Sequence, residues 1–517
     1  MEDPMKQHLM RRMAWLTAVM LVSTTFVVAT YASTNGYLLN CYCARSFARG
    51  GTLIALPDNG AVLLTNPAGL AFLPQRNLGI GLGVLIPKVK FQNSVNSLTS
   101  ADQKYYPMPF TGYVDPMPGS KWAWGFGLNV VGGMGADYNL YNPLFRDENG
   151  NLVAQDYYSN FGYMKVGPGV AYQLRDNLSV GAGVQLYYGM LDFRMPFTVD
   201  PVATLKGTAD PSTGATFGQL FAADPAQGGF GYTELTAYAA MNDLDGFGVG
   251  ANFGVYWKVN DVLSLGFAYS SPSRIHFKGV ATMDMGAQFN DAFARAVQGV
   301  MTENPGLSQE QAQAMVVQMF GSMGIDVSKG VAATFGHTKA DFDVPQKLAF
   351  GIGLHPSERW MFGLDLEWID WSSAFDKFPL KLNGSSNDNI NLMLNGDVSD
   401  GHFNYDFPLN WRDSYNVKFG VDYQLLERTR VRAGFIHGRN PVPSNTVFAI
   451  FPAIVENHLT LGFGQSFKRF DLDVAYIRAF TKSQKAVVTG HLLGSEYNGS
   501  LDKLNENLIM TSVMFKF

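Results

Sequence analysis

The fold of this chain depends on residues 49–73, RGGTLIALPDNGAVLLTNPAGLAFL, which are too apolar for a surface loop. Pro57, Gly60, Pro67 and Gly69 interrupt every run that could propagate as a helix or a long strand. The aliphatic side chains between them still need burial. Such an irregular segment is stable only where other structure encloses it and pairs its backbone polar groups. The remainder of the chain is therefore expected to supply an enclosure.

The composition indicates one large all-β protein with an apolar exterior. Among 517 residues, 16 % are charged, 13 % are aromatic and 55 are glycine, and no Pro-, Ser- or charge-rich linker divides them. The net charge of −5 disfavours nucleic-acid binding. Cys41 and Cys43 are too few for a disulfide framework or a zinc site, and are either buried thiols or a strained disulfide. Without a GxSxG or HExxH motif, no enzyme activity, cofactor or metal is expected.

Residues 1–32 have the pattern of an export signal. Basic residues precede an apolar run over residues 13–28, and residues 29–32 (ATYA) favour cleavage after Ala32. A membrane anchor is the alternative, although the run is short for spanning. No later segment holds about 18 uncharged apolar residues. A mature chain embedded in a membrane must therefore form a barrel.

After Leu73 the apolar side chains recur with a period of two, which predicts β-strands. The clearest examples are residues 78–86, 178–188, 247–257, 263–269, 360–368 and 415–423. One face of each segment is apolar, and the other is small or polar. Tyrosine and tryptophan lie at the ends of the apolar faces, as in membrane-interface girdles. This favours lipid outside and a lumen inside over a sandwich in water.

The connections between these segments alternate between short and long. The short ones lie near residues 118–120, 175–177, 259–261, 356–358, 427–429 and 469, and the long ones near 94–105, 141–155, 201–245, 285–341, 376–401, 440–454 and 490–503. The pattern predicts a transmembrane antiparallel β-barrel of about 14 strands with both chain ends in the periplasm. The last strand ends on Phe517, a terminal aromatic of the kind that barrel-assembly machinery recognises.

Helical insertions are predicted near residues 201–245 and 285–341. In the second, a capping box at Ser308 opens a helix that carries flexible methionines beside aromatic residues. Such a surface suits adaptable apolar binding, and the alternative is that the helices pack on each other over the barrel mouth. The candidates for an extracellular capture groove are Phe289, Phe293, Met315, Met319 and Phe320.

Two motifs resemble the FadL/TodX (OmpP1) family of outer-membrane transporters. They are TNGY at residues 34–37 and NPA at Asn66, Pro67 and Ala68. The resemblance implies a 14-stranded barrel over residues 77–517, plugged by an N-terminal hatch over residues 33–76. It assigns the NPA residues to the hatch and implies a ligand path through the lumen that leaves sideways at a kinked third strand.

The third strand contains Gly132, Gly133 and Gly135, which the resemblance assigns to the kink. The alternative is that these glycines face inward and give room to the plug. The lumen also carries charged candidates that would meet a carboxylate ligand. Lys418, Arg430 and Arg432 are the cations, but Asp365 and Glu367 face the same space, so a mutually neutralised charge belt is the alternative.

The predicted function is uptake of long-chain fatty acids or other hydrophobic small molecules by passive, hatch-gated diffusion with lateral exit. The predicted location is the outer membrane of a Gram-negative cell. The chain is expected to act as a monomer in contact with lipid and lipopolysaccharide, without a nucleic-acid partner. A general aqueous porin is the main alternative, which the apolar plug disfavours, and a surface adhesin or receptor barrel is another.

Overall fold

A computed structural model describes residues 34–488 and 490–517, and the predicted export signal over residues 1–32 lies outside them. The described residues form a closed antiparallel β-barrel of fourteen strands, in which the last strand pairs with the first. The prediction of an all-β barrel of about 14 strands is confirmed. The strands are β1 (Asn77–Gln92), β2 (Tyr106–Asp115), β3 (Trp122–Arg146), β4 (Leu152–Arg175), β5 (Leu178–Val199), β6 (Leu235–Lys258), β7 (Leu263–Ser270 and Ser273–Asp284), β8 (Ala332–Val344 and Lys347–Ser357), β9 (Trp360–Ile369 and Lys377–Ser385), β10 (Phe403–Pro408 and Ser414–Leu426), β11 (Thr429–Gly438), β12 (Asn457–Ser466), β13 (Phe470–Lys485) and β14 (Leu501–Lys516).

Short helices lie in the hatch and in the long connections. The α-helices are α1 (Ala44–Ala48), α2 (Pro201–Thr204), α3 (Phe217–Ala222), α4 (Gly286–Glu303), α5 (Gln309–Ser322), α6 (Trp371–Ala374) and α7 (Asp388–Asn395). The 3-10 helices are Gly60–Leu64, Pro67–Phe72, Pro225–Gln227, Val327–Lys329 and Ser495–Tyr497, and the minor strands are Thr34–Asn35, Leu38–Leu39, Thr99–Ser100, Thr208–Asp210 and Ala215–Thr216. Within the described residues, no helix is long and apolar enough to cross a membrane.

The outer face of the barrel carries a band of exposed apolar side chains. Leu82 is 58 % exposed and Val249 is 65 % exposed, although both are aliphatic. Trp122, Trp257 and Trp360 lie outward at the end of the barrel that has the short turns. Alternation of outward apolar and inward residues with an aromatic girdle is the pattern of a lipid-facing wall. In outer-membrane barrels the short-turn end faces the periplasm.

The predicted connection over residues 141–155 is wrong, and three other long connections are shorter than predicted, because strands include residues 235–245, 332–341 and 377–385. Residues 141–155 were expected to form a long connection, but β3 and β4 continue through most of them and are joined by residues 147–151 alone. The side chain of Asp147 accepts hydrogen bonds from the backbone N–H groups of Asn149 and Asn151, and Gly150 has a φ of 81°. This self-sufficient polar turn closes a hairpin, so both strands extend beyond the apolar band.

The hatch lies inside the barrel, where almost every side chain from residue 34 to 73 is buried. Inward-facing glycines of the wall allow its backbone to approach the strands directly. A Cβ atom at Gly181, Gly420 or Gly434 would lie closer than 3.0 Å to hatch backbone atoms. The wall can therefore hold the hatch only where these positions carry no side chain.

Replacing Gly434 by valine is expected to displace the hatch, because the new side chain would overlap the backbone of Gly50. Overpacking of this kind costs about 1–3 kcal/mol. Cys41 and Cys43 are the only cysteines of the chain and are buried as free thiols in the hatch. Their maleimide labelling in the folded, detergent-solubilised protein should therefore be about tenfold faster in Gly434→Val, the ratio that corresponds to about 1.4 kcal/mol.

Gly336→Val is the matched control for this substitution. Gly336 lies in β8, and no atom lies within 4 Å of the position that its Cβ would occupy. Its labelling rate should equal that of the unsubstituted protein. Equal rates in the two variants would show that the inward glycines do not determine the position of the hatch.

Candidate functional site

The barrel wall has a gap beside the third strand. Pairing between β2 and β3 ends at Phe110 and Asn129, but β3 continues to Arg146 and pairs there with β4 in the barrel wall. Pro107 and Pro109 lie in the adjoining part of β2 and lack backbone N–H donors. This part of β2 therefore cannot support a full ladder on both of its edges. We call this opening between β2 and β3 the wall gap.

The hatch covers the wall gap from inside. Leu38 pairs with Gly132, and the N–H of Gly133 donates to the carbonyl of Tyr37 at 3.0 Å. The β3–β4 register shifts between Val130 and Gly132, which marks a bulge. A Cβ at Gly132 would also collide with the Tyr37 carbonyl. The structure thus places Gly132 both in an irregular stretch of β3 and against the plug.

Gly135 lies two residues beyond Gly133 in β3 and has a different neighbour. A Cβ at Gly135 would collide with the hydroxyl of Tyr106, the first residue of β2. The tyrosine side chain therefore reaches across the wall gap toward the β3 backbone. The three predicted kink glycines all lie at this opening.

A cavity of about 520 Å³ fills the wall gap, and we call it the portal cavity. Its lining includes Phe161 and Tyr163 from the inward face of β4, and Asn160 and Gly162 from the outward face. Because one strand contributes residues from both faces, the cavity reaches both sides of the wall. Glu506 lies at its inner side and accepts a hydrogen bond from the Thr34 hydroxyl at 2.7 Å.

A second, smaller cavity of about 50 Å³ lies in the lumen among inward-facing residues, and we call it the aromatic pocket. Its lining is apolar except for Ser159, whose hydroxyl donates to the carbonyl of Ile450 at 2.6 Å. Phe161 lines both cavities and therefore separates them. The phenylalanines of the aromatic pocket are Phe161, Phe193, Phe342, Phe375, Phe378, Phe407, Phe448 and Phe451.

Tyr37 joins the hatch to both cavities. Its ring is fully buried, and its centroid lies 5.5 Å from that of Phe161, 5.1 Å from Phe342 and 4.7 Å from Trp371. Its hydroxyl donates to the carbonyl of Asp343 at 3.2 Å. The TNGY motif alone assigns no role to Tyr37, because the residues that contact its ring come from parts of the chain that are distant in the sequence. Movement of Tyr37 would uncover the wall gap and disrupt the aromatic packing at the same time.

The NPA residues fix the far end of the hatch. The Asn66 side chain donates to the carbonyls of Ile54 and Val255, at 2.8 and 3.0 Å, and accepts from the N–H of Ala68. Pro67 occupies the first turn of a 3-10 helix, where its missing N–H is tolerated. Asn66 therefore caps this helix and ties the hatch to β6.

Three of the charged candidates lie together on the inner wall against the hatch. Glu367 pairs with Lys418 at 2.8 Å and with Lys347 at 3.4 Å, and Lys418 also donates to the carbonyl of Asn40 at 2.7 Å. Asp365 accepts the backbone N–H groups of Leu53 and Ile54. These charged side chains are paired with each other or bonded to the hatch backbone, so they are not available to a ligand.

The other two candidates belong to a second network. Arg432 pairs with Asp422 at 2.6 Å and with Asp473 at 2.7 Å, and Arg430 pairs with Asp422 at 2.8 Å. From the hatch, Arg45 pairs with the same Asp473 at 2.9 Å. Sequence reasoning missed Arg45, although an arginine in an apolar segment indicates a buried partner.

The candidate groove residues lie mostly inside the extracellular helix pair. Phe289 of α4 and Phe320 of α5 are buried, with ring centroids 5.0 Å apart, and Phe293 stacks on Phe320 at 6.2 Å. Met319 is partly buried against the same core, whereas Met315 is 46 % exposed. In this structure four of the five residues hold the two helices together, and Met315 alone remains available for capture.

Comparison with known proteins identifies the family. The model of the outer membrane protein transport protein family (OMPP1/FadL/TodX) matches residues 25–517. The chain belongs to this family. The OMPP1/FadL/TodX family consists of outer-membrane transporters of hydrophobic compounds, not enzymes, so the predicted location, the predicted lack of enzyme activity and the predicted family are confirmed. No curated protein sequence matches the chain significantly.

Solved structures share the fold of this FadL/TodX member. A Pseudomonas aeruginosa FadL homologue is 18 % identical with a TM-score of 0.65, over 93 % of this chain and 100 % of the homologue. The Pseudomonas putida toluene transporter TodX is 20 % identical with a TM-score of 0.66, over 92 % and 99 %. The Ralstonia pickettii toluene transporter TbuX is 18 % identical with a TM-score of 0.61, also over 92 % and 99 %.

In this FadL/TodX member, the connection between β13 and β14 folds over the barrel mouth around a buried carboxylate. Glu496 accepts hydrogen bonds from the Tyr157 hydroxyl at 2.6 Å and from the Asn142 amide at 3.0 Å. Burial raises the pKa of Glu496 to about 7, and the nearby Glu234 adds to the shift.

Among the described residues, no group of three or more His, Cys, Asp or Glu side chains is placed to hold a metal.

The closed state of this connection is expected to depend on pH. Opening returns the Glu496 pKa to its ordinary value of 4.5 and so releases a proton between pH 4.5 and 7. The contribution of Glu496 to closure is therefore strongest at acidic pH and weakens as the pH rises to 7. Burial lowers the pKa of His491 in the same connection, so His491 opposes closure below its ordinary pKa of 6.5. Hydrogen exchange over residues 486–500, corrected for intrinsic rates, should accelerate about tenfold or more from pH 5 to 7.5.

Glu496→Gln should remove this acceleration of exchange with rising pH. Glu234→Gln should retain most of it, because Glu234 contributes less to the raised pKa of Glu496 than burial does. Both variants keep the length of the side chain and its capacity to accept a hydrogen bond. An unchanged pH profile in Glu496→Gln would assign the effect to another group.

Proposed function

We propose that the protein takes up uncharged hydrophobic small molecules by passive diffusion, with the hatch as gate and the wall gap as lateral exit. The observation that carries this proposal is the portal cavity, which one strand lines from both of its faces. A ligand in this cavity contacts the lumen and the lipid side at once. Apolar cargo then reaches the bilayer without crossing an aqueous space.

The linings of both cavities favour cargo without a charge. The aromatic pocket contains no cationic side chain, and its one hydroxyl, on Ser159, is already bonded. In the portal cavity the cation is Lys104, which Asp137 neutralises at 2.6 Å, and Glu506 adds a carboxylate. A buried methylene contributes about 0.8 kcal/mol to binding. An ionised carboxylate buried without a partner costs several kcal/mol, which disfavours a fatty-acid anion.

The structural relatives support the same cargo class. TodX and TbuX are described as toluene transporters, and toluene is an uncharged aromatic hydrocarbon. Rings of phenylalanine suit a flat aromatic or compact apolar ligand through offset and edge contacts. A general aqueous porin needs a continuous hydrated lumen, whereas the hatch here fills the lumen with buried side chains. Single-channel recordings with small, infrequent currents would agree with transport of apolar cargo.

Gating follows from the contacts of Tyr37. Its carbonyl bonds Gly133 at the wall gap, while its ring packs on Phe161 between the two cavities. A ligand that enters the aromatic pocket must displace rings that contact Tyr37, because the free volume there is about 50 Å³. The same displacement breaks the bond to Gly133. Occupancy of the pocket and opening of the gap are therefore coupled.

The cargo class can be tested with naphthalene and 2-naphthoate, which share a ring system and differ in one carboxylate. In cells that lack other uptake routes, the protein should raise naphthalene uptake about tenfold and leave 2-naphthoate uptake unchanged. Gly162→Trp should abolish the increase, because an indole fits into the portal cavity where no atom lies within 4 Å of the Cβ position.

Gly162→Ala is the control for the tryptophan variant and should transport normally. Equal stimulation of both compounds would contradict the uncharged cargo but not transport. No stimulation of either would contradict the transport function itself. Full naphthalene uptake through Gly162→Trp would contradict the lateral exit.

Hatch gating can be tested with Asn66→Ala, which leaves the carbonyls of Ile54 and Val255 without their donor. Each lost bond of this kind costs about 1–3 kcal/mol. We expect faster maleimide labelling of Cys41 and Cys43 and a several-fold rise in naphthalene uptake, because hatch release limits transport. Faster cysteine labelling with unchanged naphthalene uptake would show that hatch movement does not limit transport, and would contradict the gating proposal.

A further inference from the structure

The outer face of three adjacent strands carries a cluster of cations. Lys88 and Lys90 project outward from β1, Lys503 from β14 and Arg478 from β13, and we call these four residues the basic patch. Lys90 and Lys503 lie directly opposite each other in the β1–β14 ladder. Like charges in this arrangement destabilise a sheet unless an anion lies between them.

No acidic side chain of the same three strands lies on this face. The acidic residues of β13 and β14 are all buried on the inward face, and β1 has none. Within the described chain, neither Lys90 nor Lys503 forms an ion pair. The inward acidic residues are Asp471, Asp473, Asp502 and Glu506. Lys90 and Lys503 therefore carry a positive charge on the outer face that the acidic residues of these three strands do not neutralise.

The basic patch begins where the apolar band ends. Val84 of β1, Ile509 of β14 and Tyr476 of β13 form one cross-strand row, and Arg478 lies two residues beyond Tyr476. Lys90 lies six residues beyond Val84. At about 3.3 Å per residue, the patch extends about 20 Å from this apolar row along the strand. All four cations lie toward the long-loop end of the barrel, away from the short turns.

We propose that the basic patch binds the phosphate groups of a lipopolysaccharide molecule whose acyl chains cover the apolar row. Three strands span about 10 Å across the wall, and the cations are spread over several residues along it, which fits a headgroup with two phosphates better than one. Lipopolysaccharide occupies the leaflet at the long-loop end of outer-membrane barrels and combines acyl chains with two phosphates. Juxtamembrane lysine and arginine clusters recognise anionic headgroups by the same pairing.

The site is independent of the transport function proposed above, but it adjoins the wall gap. Leu85, Pro87 and Val89 of β1 line the portal cavity, and Lys88 and Lys90 alternate with them on the opposite face. A lipid held by the patch therefore packs on the strand that forms one side of the portal cavity.

The test is binding of lipid A to the delipidated, folded protein in detergent, followed by native mass spectrometry. Bisphosphorylated lipid A should bind about tenfold more tightly than monophosphoryl lipid A, which has the same acyl chains. Lys90→Gln/Lys503→Gln should remove this preference and leave the weaker, acyl-dependent binding. Lys121→Gln/Lys468→Gln is the matched control, since it removes the same charge from exposed positions at the short turns.

Each outcome decides the proposal. Equal binding of the two forms of lipid A by the unsubstituted protein would overturn it without reference to any variant. Unchanged preference in Lys90→Gln/Lys503→Gln, or loss of preference in the control, would place the site elsewhere. Phosphatidylglycerol that binds as tightly as bisphosphorylated lipid A would show a general anionic surface instead.

Discussion

Direct contact between the hatch backbone and the barrel wall is the constraint on which the rest of the structure depends. At Gly181, Gly420 and Gly434 the wall offers no side chain, and the hatch occupies the space that a Cβ would need. Glycine normally weakens a strand, because it has no side chain to pack and loses more entropy on ordering. Here that loss is offset by a close fit to an irregular segment that has no stable structure of its own.

Polar side chains of the wall complete this fit. The hatch has few regular elements, so many of its backbone groups need partners from elsewhere. Ser179 donates to the carbonyl of Ala68, Lys165 to that of Leu64 and Asn252 to that of Leu63. These interactions are specific to one position of the hatch. The charge networks between the wall and the hatch act in the same way, since a buried ion pair is strongly destabilised when one partner leaves.

The local sequence pattern predicted the barrel, because the two-residue period of apolar side chains and the alternating lengths of the connections can be read from neighbouring residues. Local pattern did not predict interactions between residues that are distant in the sequence. It also missed the tight hairpin at Asp147, whose side chain bonds the backbone N–H groups of its own turn. It left open whether Phe289 and Phe320 line a groove or pack between the helices, because helical spacing cannot distinguish a groove from a helix–helix core. The role of Tyr37 and the effect of Pro107 on the β2–β3 ladder needed the three-dimensional arrangement, although a proline within a strand was a visible signal.

The seam between β1 and β14 has a consequence for how the molecule is made. These strands pair along sixteen residues, yet they stand at opposite ends of the barrel sequence. Contacts of such sequence separation form late and slowly. The hatch immediately precedes β1, so its narrow space exists only once the final strand has been added. The segment must be held near the interior during synthesis and export, or enter an already closed cylinder through one of its ends.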